Sequence, residues 1–126
     1  MKIIKVGCSS VVDFAASELK KYLRMMSPDG LNIDITSDTS LTDGFRVGLM
    51  SDFGLLFDDV EDSRYDDVLY ANCDTSSGII AGNNPRSVLL AVYEYLRHNG
   101  CRWLYPGPSG EYIPTKSPEP VSFRIK

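Results

Sequence analysis

The side chains that most often carry out chemistry are sparse in this sequence and poorly spaced for it. His98 is the only histidine, so neither a histidine-rich zinc site nor the paired histidines of an HExxH helix can be built. Cys101 lies three positions further on, where a thiol nucleophile with an imidazole base would be one reading. The two residues straddle Gly100 at a predicted bend from helix to strand, and no third residue is placed to orient the ring. The plainer reading of His98 is a residue near a helix C-terminus, interacting with the last carbonyls. Cys8, Cys73 and Cys101 are widely spaced and form no CxxC pair. That fits reduced thiols better than a disulfide framework, a single Cys73–Cys101 bridge being the less favoured alternative.

Three other groupings carry some chemical meaning. Residues 78–87 read as strand, turn and helix start, the setting in which free N–H groups bind anions, with Asn84, Arg86 and Ser87 as a weak anion-site candidate. The stretch lacks both the GxxxxGK[ST] and the GxGxxG spacing, so the simpler reading is a capped helix. Asp58, Asp59, Glu61, Asp62, Asp66 and Asp67 concentrate negative charge, but without the EF-hand order and its central glycine they read as a solvated loop. A sequence with this many acids also offers accidental carboxylate pairs, which carry no weight as glycosidase centres without a cleft. The densest signal is residues 100–114, where Trp103, Tyr105 and Tyr112 sit beside Pro106, Pro108, Glu111 and Pro114. Aromatics on stiff backbone either stack on sugar rings or anchor a neighbouring domain, and Trp103 can also simply fill the core.

The elements that would position these residues follow from periodicity. Residues 3–6 are a short β-prone run. Val12, Ala15, Ala16, Leu19, Tyr22, Leu23 and Met26 form one helical stripe, predicting a helix over about 11–26 with Ser10 as cap and Asp13 completing a capping box. Residues 27–30, Ser-Pro-Asp-Gly, should end it. Alternation predicts strands at 31–35 and 45–49, then a long acidic surface loop over 51–67. Residues 68–73 and 78–81 read as a hairpin. Asn84 should cap a second helix with Pro85 in its first turn, and Gly100 should stop it. A strand over 101–105 follows, then a proline-rich tail that cannot be α-helix. Residues 121–125 alternate weakly, as an edge strand or the start of a connection. The expected order is β-α-β-β-β-β-α-β: an α+β fold with a mixed, largely antiparallel sheet and two helices packed on one face.

Composition bounds the rest. At 126 residues and 43% apolar, the chain is expected to be a single domain over 1–126 that buries roughly two-thirds of its unfolded surface. A formal charge of −4 provides no general positive field for phosphate backbones or anionic lipid, so neither nucleic acid nor membrane is an expected partner. Apolar runs are far shorter than the ~20 residues of a membrane span. Lys5 interrupts the opening apolar run, so no secretory signal is expected and the chain reads as cytoplasmic.

Several strings taken together resemble a known family. They are Asn84-Pro85-Arg86-Ser87-Val88-Leu89, Ala91-Val92-Tyr93-Glu94-Tyr95-Leu96, Gly100-Cys101-Arg102-Trp103-Leu104, Pro106-Gly107 and Gly110-Glu111-Tyr112-Ile113-Pro114. They are similar to the N-terminal, non-catalytic domain that precedes the barrel in α-glucuronidases and β-N-acetylhexosaminidases, and in bacterial proteins of unassigned glycoside hydrolase type. Glu18-Leu19 and Tyr22-Leu23 in the first helix, and Asp43-Gly44-Phe45, look like that family too. The resemblance implies a zincin-like topology without the metal centre, and catalytic carboxylates on a following (β/α)8 barrel rather than on this chain; the residues themselves offer no complete nucleophile, metal or cofactor set, so no cofactor is expected. It makes residues 106–126 an exit segment toward that barrel, which would be the partner. Trp103, Tyr105, Pro106, Glu111 and Tyr112 are then the expected interdomain surface. The alternative is an independent carbohydrate-binding module that stacks sugar on Trp103, Tyr105 and Tyr112.

Overall fold

Ile3, Phe45, Val47, Ala71, Cys73 and Ile80 share one face of neighbouring strands, and that face is what the helices cover. The computed structural model describes residues 1–27, 32–55 and 67–125. Its strands are β1 (Lys2–Lys5), β2 (Asp34–Thr36), β3 (Phe45–Leu49), β4 (Leu69–Cys73), β5 (Gly78–Gly82), β6 (Arg102–Trp103), β7 (Glu111–Tyr112) and β8 (Val121–Ile125). The two α-helices are α1 (Ser10–Met26) and α2 (Pro85–His98), and single 3₁₀ turns occur at Met50–Phe53 and Pro108–Gly110.

Six strands form the main sheet in the order β2-β1-β3-β5-β4-β8. The fold is the expected α+β arrangement with a mixed sheet. Antiparallel pairing in this sheet is confined to β5, β4 and β8, while β2, β1, β3 and β5 run parallel. The reason is the connections. A helix between β1 and β2 carries the chain back to start again in the same direction, whereas Asp74 N–H closes a tight turn on Ser77 O at 2.7 Å and reverses it.

The helices α1 and α2 pack on each other, α1 against β1 and β3, α2 against β5 and β4. Their buried stripes include Val12, Leu19 and Leu23 from α1 and Val88, Val92 and Leu96 from α2. Each such side chain contributes roughly 1.5–3 kcal/mol by leaving water. The opposite face of the sheet carries a smaller cluster, Met50, Val68 and Ala81, flanked by Phe53, Leu55, Tyr70 and Ile79.

Local signals account for most element ends, with two corrections. The cap of α1 is Ser9, which is extended (φ −151°, ψ 131°) and accepts from Val12 N–H at 3.4 Å. Ser10 is already the first helical residue, and the Asp13 carboxylate pairs with Lys5 at 3.2 Å. At α2, Asn84 Oδ1 accepts from Ser87 N–H at 2.9 Å, as its position before Pro85 predicts. Past its C-terminus, Gly100 takes φ +101°, which lets Cys101 N–H reach Leu96 O at 3.1 Å and Gly100 N–H reach Arg97 O at 2.9 Å.

The second correction concerns the strand expected over 101–105. Only Arg102–Trp103 is extended, and it pairs outside the main sheet with β7, Arg102 opposite Tyr112 and Trp103 opposite Glu111. The prolines and Gly107 turn the chain back too soon for a longer strand, and Leu104 N–H closes the loop on Gly110 O at 2.8 Å. Residues 121–125 form the edge strand beside β4. Residues 28–30, expected to end α1, and most of the acidic loop lie outside the described residues. Among the described residues no helix is long and apolar enough to cross a membrane.

Candidate functional site

Two places on the surface concentrate the residues singled out from sequence: the start of α2 and the β6–β7 hairpin. The start of α2 depends on Gly82, the last residue of β5. A Cβ on Gly82 would stand 2.5 Å from the Ser87 backbone carbonyl carbon and from Val88 N. Only glycine lets the first turn of α2 lie this close to the strand. That approach brings Asn84, Arg86 and Ser87 around one carboxylate, and it belongs to Asp67. Arg86 donates from Nη2 at 2.8 Å and from Nε at 3.2 Å, and Asn84 Nδ2 donates at 3.2 Å, all to Asp67 Oδ1. Ser87 Oγ lies 2.7 Å from the same oxygen and 2.9 Å from Asn83 Oδ1. Asn83 Oδ1 also accepts from Val68 N–H at 2.9 Å.

The Arg86 guanidinium, helped by Ser87 and Asn84, holds the Asp67 carboxyl below the usual carboxylate range despite partial burial. The three anion-site candidates are therefore brought together, and the anion they surround is the chain's own. Asp67 was legible only as one acid among many, because its partners lie 17 to 20 residues away.

In the hairpin, pairing divides the predicted surface in two. Trp103 and Glu111 face each other across the strands, and both contact the helices. Trp103 is half-buried, with its ring 5.2 Å from Tyr22 of α1 at 85° and 5.4 Å from Tyr93 of α2 at 75°. Its Nε1–H donates to Tyr22 Oη at 3.3 Å, and Tyr22 Oη–H donates to Glu111 Oε1 at 2.8 Å. Tyr93 Oη–H donates to Glu18 Oε1 at 2.9 Å. Burial is the main reason both phenols resist ionisation more than a free tyrosine does, and the neighbouring carboxylates add to it.

Tyr105, Pro106 and Tyr112 face away from this group and are exposed, Tyr105 by 56% and Tyr112 by 59%, beside Leu104 at 77%. Tyr105 Oη–H donates to Ser109 O at 3.0 Å, which stiffens the turn without covering its ring. Sequence periodicity puts Tyr22 in the α1 core stripe and Tyr93 on the buried face of α2, but gives no sign that both meet Trp103 or that Glu18 accepts a phenol proton. The available signal was a tyrosine, a residue with a polar tip, on each helix at the edge of its apolar stripe.

The thiol–imidazole pairing finds no geometric support. Cys101 is fully buried, its Sγ 3.9 Å from Met26 Sδ, and burial pushes its thiol up to about 11. Cys73 is pushed up to about 12 for the same reason, and all three cysteines are free. His98 instead stacks on Phe123, ring centres 5.0 Å apart, with Nδ1 2.9 Å from Glu94 O. Compared with known proteins, the chain matches no family model and no curated sequence.

Proposed function

We propose that this chain is a non-catalytic accessory domain of a glycoside hydrolase, with zincin-like topology, which supports a (β/α)8 barrel that follows it in the same polypeptide. The observation that carries the reading is the exposed apolar side of the hairpin. Leu104, Tyr105 and Tyr112 present large side chains to solvent on a turn stiffened by Pro106 and Pro108. Clustered exposed apolar groups on rigid backbone suit a partner surface. Phe14 on α1 and Leu90 on α2 are also exposed.

Carbohydrate binding by the hairpin itself is the second reading, favoured by the exposed rings of Tyr105 and Tyr112. It loses Trp103 from that exposed surface, because the ring is half-buried against two tyrosines of the helices. Sugar-cleavage assays on the chain alone and on the chain with its native continuation test the proposal. Cleavage only with the continuation, impaired by Leu104→Asp, is the expected result. Cleavage by the chain alone, free of contaminating hydrolase, defeats it. Saturable heat with xylan or chitin fragments that Tyr112→Ala abolishes would favour the second reading.

A further inference from the structure

We propose that the aromatic cleft between α1, α2 and the hairpin, walled by Tyr22, Tyr93 and Trp103, binds a compact alkylammonium group. The cleft is open to solvent and offers about 290 Å³, room for a head group the size of trimethylammonium. Its residues come from three elements distant in sequence, and the steep ring angles of 85° and 75° make walls rather than a flat platform. Walls suit a rounded cation better than a sugar ring.

The polar atoms at its edge select charge. Trp103 Nε1–H and both phenol protons are already donated, to Tyr22 Oη, Glu111 and Glu18. What remains for a ligand is the acceptor capacity of two carboxylates and the faces of electron-rich rings. A phenol that donates to a carboxylate gains electron density in its ring, which strengthens attraction for a cation. Lys21 is close enough to Glu18 and Glu111 to feel both charges, and those two carboxylates outnumber it. The chain already shows the preference: Lys21 Nζ lies 4.9 Å from the centre of the Tyr22 ring. Lys21 lines the neighbouring groove with Lys20 and Arg24 and does not line this cleft, so a ligand ammonium would meet its charge across the Tyr22 ring.

This assignment is independent of the barrel-docking reading, which rests on the outward side of the hairpin. Its test uses the fluorescence of Trp103, the only tryptophan in the chain. Choline and 3,3-dimethylbutan-1-ol have the same shape and differ in charge. Titration should give a saturable change with choline and binding about tenfold weaker with the neutral alcohol, the factor that one partly desolvated cation–π contact supplies. Glu111→Gln keeps the hydrogen bond to Tyr22 while removing charge, and should weaken choline without altering the alcohol. Lys21→Ala should tighten choline. Nε-trimethyl-lysine amide presents the same head group from a protein side chain, and saturable binding of either ammonium supports the site, the tighter one naming the source. Equal affinity for choline and the alcohol, or no saturable change with either ammonium in folded wild-type and Lys21→Ala chains, overturns the proposal.

Discussion

The start of α2 and the β6–β7 hairpin use their side chains in opposite ways. At the start of α2, Asp67 gathers Arg86, Asn84 and Ser87, while Asn83 ties down Val68. The strong donors there are turned onto a carboxylate of the same chain. At the hairpin, Trp103 and Glu111 are absorbed by the helices, while Leu104, Tyr105 and Tyr112 remain in solvent. A helix start that holds its own counter-ion is scaffolding, and an uncovered apolar turn is where a partner can act.

The comparison breaks most forcefully at Gly82. Gly82→Val places side-chain atoms inside the Ser87 backbone and should destabilise the chain by about 3 kcal/mol or more, read from urea unfolding. Unchanged stability would mean that the close approach of α2 does not hold the scaffold. Trp103→Ala removes a half-buried ring packed on two helices and should cost about 2 kcal/mol. A neutral result would place Trp103 with the outward residues.

Asp67→Ala should cost roughly 1–2 kcal/mol at neutral pH, a modest effect because the cluster is partly exposed. The sign with pH follows from linkage. The folded Asp67 carboxyl is depressed below its ordinary value of 3.8, so its contribution is present above that pH and disappears as acid titrates the folded group. Wild type should therefore lose its advantage over Asp67→Ala as pH falls below about 4. Parallel stability profiles for the two proteins would show that Asp67 is not the anion that organises the helix start. The smallest effect belongs to the outward side: Leu104→Ser and Tyr112→Ser should each change stability of the chain by less than about 0.5 kcal/mol. Substantial destabilisation by either would make the hairpin surface part of the core.

Periodicity made the two helices legible, because each has one wet side and one dry side, and the turn composition of residues 74–77 marked the 68–81 hairpin, whose strand β5 is covered on both faces. Cap chemistry located the start of α2 through Asn84 and Pro85, but two adjacent serines made the start of α1 ambiguous, and Ser9 rather than Ser10 takes the extended backbone. Strand direction was harder to read. Alternation is the same for parallel and antiparallel neighbours, so β2, β1, β3 and β5 gave no sign of running together. At the hairpin, the sequence marked a dense aromatic segment without its two sides, because the pairing of Trp103 with Glu111 is set by where Gly107 and the prolines turn the chain. The partners of Trp103 on α1 and α2 lie 81 and 10 residues away, beyond any local spacing rule.

Hydrogen exchange over residues 102–113, compared between the chain alone and the chain joined to the proposed continuation, tests the proposed docking surface most directly. The account predicts that amides around Leu104, Tyr105 and Tyr112 become protected when the continuation is present, while those at the start of α2 stay unchanged. Identical exchange of the hairpin in both proteins would contradict it.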